Sequence, residues 1–282
     1  MRQKMINLSF LIRQISLITL LTVGVSLEMI GGVIDLAFAA QLSASALVGI
    51  FLIAGGCPVW VGCIGILFFN FFLGFLKAVF LVKLRVPSII FTLAMQVILS
   101  NFLLATVDYT GIVIPELRES YRGNIYIGME LAVTVLCVAG AFFFLEKTYY
   151  GKYCRMLGEN LPLARESGVK CFGISVAVHL FASLFFSISA AFLMFRTGSS
   201  NSALGATYLY QILTAVFLGG VLPNTGKGRI FGMLSGALAV TLAVTFLTGS
   251  GYLYRFENIL EGSIILVALA LGVRKKNRES SP

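Results

Sequence analysis

Residues 174–195 read ISVAVHLFASLFFSISAAFLMF, and the only ionisable side chain among them is His179. Polar and apolar residues do not alternate here, as they would along a strand of a membrane barrel. About 20 apolar residues coiled as a helix cross the roughly 30 Å hydrocarbon core of a bilayer. Inside lipid the backbone must satisfy its own hydrogen bonds, so this run is predicted to be a transmembrane helix. Comparable runs lie on both sides of it, at 14–34, 36–56, 58–82, 88–107, 124–145, 230–248 and 258–273. A further run, 211–222, has only 12 residues and would reach about 18 Å as a helix. It is expected to be a partial helix, or to be extended by residues 203–210. The predicted fold is therefore all-α, a polytopic transmembrane helix bundle of about eight to nine spans.

Composition agrees with this. Of 282 residues, 58% are hydrophobic and 12% are charged, about half the charged fraction of a soluble domain. Mean hydropathy is +0.95. The net charge of +9 could suggest nucleic acid. The basic residues sit between apolar runs and form no separate domain, so no nucleic-acid partner is expected. No loop is long enough to fold alone, so residues 1–282 are read as one transmembrane domain, and any soluble domain it works with belongs to another chain. No small-residue cleavage site follows the first run, so no removable signal peptide is expected.

Cytoplasmic loops of membrane proteins are enriched in Lys and Arg. The tail at 274–282 carries Arg274, Lys275, Lys276 and Arg278, and the loop at 146–173 carries Lys147, Lys152, Arg155, Arg165 and Lys170. Both are expected in the cytoplasm, together with Lys83, Arg85, Lys227 and Arg229, while residues 108–123 are external. If residues 36–56 cross fully, Arg2, Lys4 and Arg13 fall outside; if that segment is re-entrant, they fall inside. Its length favours full crossing.

The chemistry-bearing residues are few. Cys57, Cys63, Cys137, Cys154 and Cys171 are scattered without a C-x-x-C pair, so neither metal nor disulfide is expected. One mid-span histidine leaves little scope for a hydrolytic triad, and no catalytic residue or cofactor is expected. Gly226-Lys227-Gly228-Arg229 lacks the Ser or Thr and the first glycine of a phosphate loop; it reads as a tight turn with basic anchors. Ionisable residues within or at the ends of spans are costly and carry a functional hypothesis by default. Here these are Glu28, Lys77, Glu130 and Glu261, with Asp35 at a boundary and read as interfacial. Glu28 could line a polar path and bind solute hydroxyls, or pair with Lys77 across the bundle. In the loop at 146–173, Asn160 can cap a helix whose first turn holds Pro162 and which Gly168 stops. A short amphipathic helix there would suit docking of a soluble partner, or be an ordinary interfacial loop helix.

Four stretches in order carry a resemblance. Residues 157–169, LGENLPLARESGV, are similar to the cytoplasmic G-x-N-x-x-A-A-x-x-x-G-I loop of ribose-type sugar ABC permeases. Residues 23–36, VGVSLEMIGGVIDL, resemble that family's V-G-M-T-x-V-I-x-x-G-G-I-D-L-S. Residues 82–93, VKLRVPSIIFTL, resemble V-x-x-L-x-V-P-x-F-I-x-T-L, and residues 216–236 resemble V-x-L-G-G-x-x-x-x-G-G-x-G-x-x-x-G. At Glu28 the family pattern is usually apolar. At 205–213 both acids of its G-x-x-x-E-L-D-A-I-A pattern are absent, which points to an altered substrate path or altered partner contacts.

The resemblance implies a type II-like ABC importer permease, multi-pass in a bacterial inner membrane with its C-terminus cytoplasmic. It implies alternating access by two permease subunits, the same or different, driven by separate ATPase subunits and fed by an extracytoplasmic binding protein. Gly158, Glu159, Asn160, Ala164 and Gly168 are then the ATPase-coupling residues, and Glu28, Asp35 and Lys77 the candidates for the translocation path. A sugar-like cargo is expected. A branched-chain amino acid or nucleoside permease is the near rival, and a proton-coupled transporter using Glu28, Glu130 or His179 is the rival of another class.

Overall fold

The computed structural model describes residues 8–107, 111–250 and 262–263. The run at 258–273 lies almost wholly outside the described residues, and Arg2, Lys4, Asp108, Glu261 and the tail at 274–282 lie wholly outside them. The helices are α1 (Leu8–Ile30), α2 (Phe38–Ala54), α3 (Val59–Ala78), α4 (Ser88–Val107), α5 (Pro115–Ser120), α6 (Asn124–Lys147), α7 (Tyr149–Glu159), α8 (Leu161–Glu166), α9 (Cys171–Thr197), α10 (Leu209–Leu218) and α11 (Ile230–Ser250). A π-helical turn, Val79–Lys83, continues α3, and two short strands, β1 (Ile112–Val113) and β2 (Ser199–Ser200), pair antiparallel.

Among the described residues five helices are long and apolar enough to cross a membrane: α1, α3 with its π-helical turn, α4, α6 and α9. Phe38–Ala54 and Ala206–Leu218 are apolar but shorter, and Ile230–Ser250 adds an apolar helix of 21 residues. Most expected spans therefore recur as helices, but not all at full length. The reason lies in two extended segments that enter the bundle. After α1 ends, residues 33–36 run extended before α2 starts, and after α9 the chain runs through β2 to a 3-10 turn, Ala206–Tyr208, before α10. Non-helical backbone is tolerated at membrane depth only where protein satisfies its polar groups. Thr92 Oγ1 donates to the Ile34 carbonyl at 3.0 Å, and the Ala37 N–H donates to Asp35 Oδ1 at 2.8 Å. The Gly205 N–H donates to Ser43 Oγ at 2.7 Å, and Ser200 Oγ donates to the Ser43 carbonyl at 3.1 Å. The partial helix expected at 211–222 is thus α10, which starts two residues earlier and stops at Leu218.

α1 is apolar around its circumference, and every residue from Ser16 to Ile30 is buried. Such a helix belongs in the middle of a bundle, and α6, α9, α10 and α11 pack around it. α3 has two faces. Gly62, Ile66, Asn70, Leu73, Gly74 and Lys77 recur at helical spacing and are buried, against α2 and α9. Trp60, Ile64, Phe68, Phe72 and Phe75 form its exposed face, suited to lipid. α10 and α11 meet through small residues, as membrane helices do: a Cβ added at Gly236 would lie 2.1 Å from the Ala215 carbonyl oxygen.

The two ends of the bundle are distinct. Arg13, near the start of α1, reaches Glu130 of α6 and donates to the Tyr121 carbonyl at 3.0 Å. It therefore lies at the end that holds residues 111–123. The other end of α1 meets α7.

Candidate functional site

Two arrangements carry chemistry: a charged cluster inside the bundle, and the surface segment α7–α8 beneath it. The cluster begins with Lys77, on the buried face of α3. Its Nζ lies 3.1 and 3.2 Å from the two carboxylate oxygens of Glu28 on α1. It also lies 2.6 Å from Asp35 Oδ2 in the extended segment after α1. His179 Nδ1 on α9 is 2.9 Å from Glu28 Oε1. Glu28, Asp35 and Lys77 are fully buried and His179 nearly so. The Lys77 ammonium also stands 5.1 Å from the centre of the Phe186 ring, close enough for a cation–π contact.

Asp35 is therefore not interfacial. Its Oδ1 holds the Ala37 N–H at the start of α2 while its Oδ2 holds Lys77, so one carboxylate both seats a helix and neutralises a charge. A buried charge is tolerated only when paired and hydrogen-bonded, and here every charged group has at least one such partner. His179 brings a ring nitrogen into the cluster that sequence left without an assigned neighbour. Two turns along α3 from Lys77, Asn70 accepts from Gln41 at 2.7 Å, and its carbonyl accepts from Ser183 at 2.9 Å. This polar link was unmarked in the sequence reading; an asparagine in the middle of an apolar span was the available signal.

At one end of the bundle, α7 and α8 lie across the helix ends. α7 is a helix where only a polar loop was expected. Thr148 caps it, its hydroxyl accepting from the Gly151 N–H at 3.3 Å. α8 begins at Asn160, whose Oδ1 accepts from the Leu163 N–H at 3.0 Å, with Pro162 in its first turn. Gly168, at φ +77, follows its end. Gly158 is buried, and a Cβ there would fall 1.8 Å from the Ile30 carbonyl oxygen, so α7 touches the end of α1 backbone to backbone. Ala164 is buried, whereas Glu159, Asn160 and Gly168 are exposed.

Two arginines extend these contacts. Arg155 donates to the Gly228 carbonyl at 2.8 Å and pairs with Glu146 at 2.7 Å. Arg165 donates to the Val82 carbonyl at 2.9 Å. Residues 226–229 thus form a turn against α7, with Gly226 and Gly228 buried and Lys227 and Arg229 exposed. The outward side of α7–α8 exposes Tyr149, Tyr153, Met156 and Leu163. Between the segment and the charged cluster lies a cavity of about 10 Å³ lined by Glu28, Cys154, Leu157 and His179, among others. It has room for about one water-sized molecule. Burial pushes the Cys154 thiol up to about 12.

At the opposite end, Glu130 is buried and shared by two arginines. Arg13 Nη1 and Arg196 Nε each lie 3.2 Å from its Oε1. The contact joins α1, α6 and α9 there, as Glu28 and His179 join α1 and α9 deeper in.

Relatives of known name are similar over most of the chain. The fructose import permease protein of Rhizobium meliloti is 25% identical over 277 residues, covering 94% of this chain and 77% of the relative. The ribose import permease protein of Bacillus subtilis is 28% identical over 276 residues, covering 96% and 85%. The galactose/methyl galactoside import permease protein of Treponema pallidum is 28% identical over 215 residues, covering 72% and 40%. No solved structure shows a significant match. The family described as branched-chain amino acid transport system / permease component matches residues 7–269. The chain belongs to that family, and with its buried helix bundle it is a multi-pass inner-membrane ABC permease subunit, a transport component.

Proposed function

We propose that this chain forms, with a second permease subunit, the membrane path of an ABC importer for a sugar or sugar-like solute, and that a separate ATPase drives it through α7–α8. An extracytoplasmic binding protein delivers the solute to the other end. The cargo class rests on the fructose, ribose and galactose names of relatives similar over most of this chain. Branched-chain amino acids are the second reading, because the family's own description names them.

The observation that supports the drive is the shape of α7–α8. One side is locked to the bundle, and the other exposes Tyr153, Met156 and Leu163 among polar residues. A short rigid segment with an apolar outer strip fits a docking groove on a soluble partner. Its inner contacts define where a push would go: into α1 through Gly158, into α3 through Arg165, and into the turn before α11 through Arg155. The cluster of Glu28, Asp35, Lys77 and His179 makes α1, α3 and α9 respond as one body, so its proposed role is to hold the path walls together. In this orientation α7–α8, residues 226–229 and the C-terminus face the cytoplasm, and residues 111–123 and Arg13 face outside.

A cysteine placed at Leu163 tests the docking. Leu163→Cys is expected to form a crosslink to the ATPase in membranes, one that changes yield when ATP is trapped. A Leu163→Cys protein labelled only from outside the cell would overturn the reading.

A further inference from the structure

Four cations converge where two spans leave the apolar core. Lys83 ends the π-helical turn of α3, Arg85 follows two residues later, Arg165 sits on α8, and Lys170 precedes α9. With Val82, Phe172 and Gly173 they line one open cleft of about 570 Å³. No carboxylate lines it. Among the described residues none of the four makes an ion pair; Arg165 spends one nitrogen on the Val82 carbonyl. Four unneutralised cations held together repel one another, and an anion shared among them would relieve that repulsion.

Two further features indicate what kind of anion. The N–H groups of Phe172 and Gly173, in the first turn of α9, have no backbone partner among the described residues, and they add the positive end of a 27-residue helix. The depth is that of lipid headgroups: the span Val59–Lys83 ends at the cleft and the span Cys171–Thr197 begins there. Leu84 and Phe172 are exposed at this level, an apolar rim beside a basic floor.

We propose that this cleft binds the phosphate of an anionic phospholipid headgroup, with the acyl chains running along the apolar rim. The lipid phosphate bridges Lys83 and Arg85 on the α3 side to Arg165 and Lys170 on the α8–α9 side. It thereby ties the α8 surface segment to the membrane as well as to the bundle. Basic pockets between spans suit this chemistry. The site is independent of cargo, and the lipid titrations that test it use the permease alone.

The test is lipid binding to the full chain, delipidated in neutral detergent, followed by native mass spectrometry and thermal unfolding. Phosphatidylglycerol is titrated against phosphatidylcholine and against inorganic phosphate. Expected is retention of phosphatidylglycerol with a raised unfolding temperature, neither of which phosphatidylcholine or inorganic phosphate reproduces. In Lys83→Gln/Arg85→Gln, affinity is expected to fall about thirtyfold for two lost basic contacts, with unfolding in phosphatidylcholine unchanged. Arg122→Gln, an exposed cation outside the cleft, is the control and is expected to bind normally. Equal binding by the double variant, full saturation by inorganic phosphate alone, or loss of the lipid from the intact chain on adding the ATPase subunit would each overturn the proposal; the last would make the cleft a protein contact.

Discussion

Lys77 holds two carboxylates that would otherwise face each other inside the bundle, Glu28 at 3.1 Å and Asp35 at 2.6 Å. The energetic lesson concerns imbalance more than attraction. Removing one partner of a buried ion pair costs about 3–5 kcal/mol, whereas replacing all partners with neutral groups costs far less. Lys77→Met is therefore expected to lower the unfolding temperature in detergent and the yield from membranes sharply. The triple change Lys77→Met, Glu28→Gln, Asp35→Asn is expected to recover much of that loss. A triple variant less stable than Lys77→Met alone would count against the balance. At the same scale, the buried Cys154 thiol is pushed up to about 12, leaving roughly one part in ten thousand as thiolate at pH 8. Maleimide at pH 8 is expected to leave Cys154 unmodified in the folded protein while half-buried Cys57 reacts; quick labelling of Cys154 would mean that α7 does not pack as described.

Among the elements, α7–α8 carries the mechanical argument. Gly158→Val places side-chain atoms where the Ile30 carbonyl oxygen stands, so α7 must lift from α1. The expected result is at least a tenfold loss of ATP-driven uptake with normal membrane insertion; uptake at the wild-type rate would remove α7 from the drive. Which elements were legible in sequence follows from where their stability comes from. α4 and α9 were readable because a long apolar run has one solution in lipid. α8 was readable because its signals are local: Asn160 to cap, Pro162 in the first turn, Gly168 to stop. α7 was not, since Lys152, Arg155 and Glu159 gave it the polarity of a loop, and its helical state depends on packing Cys154 and Leu157 against the bundle. The extended segment 33–36 was equally hidden, because Thr92, far away in sequence, satisfies its Ile34 carbonyl. The Glu28–Lys77 proximity was open to inference from cost alone, but bringing in Asp35 and His179 required knowing how α1, α3 and α9 pack.

Across the whole molecule, the helix ends divide the work. One end gathers α7–α8, the turn at 226–229 and the basic cleft; the other gathers Arg13, Glu130, Arg196 and the paired strands β1 and β2. Buried charge joins α1 to α3 and α9 in between, so a push at one end reaches a connected wall. On the proposed reading, such a wall transports only if something outside the chain supplies the push. The most direct measurement is uptake of a radiolabelled pentose or hexose into proteoliposomes that hold this chain with the proposed ATPase and binding protein. Accumulation that requires ATP and all the components, and persists when the proton gradient is collapsed, is the predicted result. Accumulation of the solute by this chain in vesicles with no ATPase present would contradict the account.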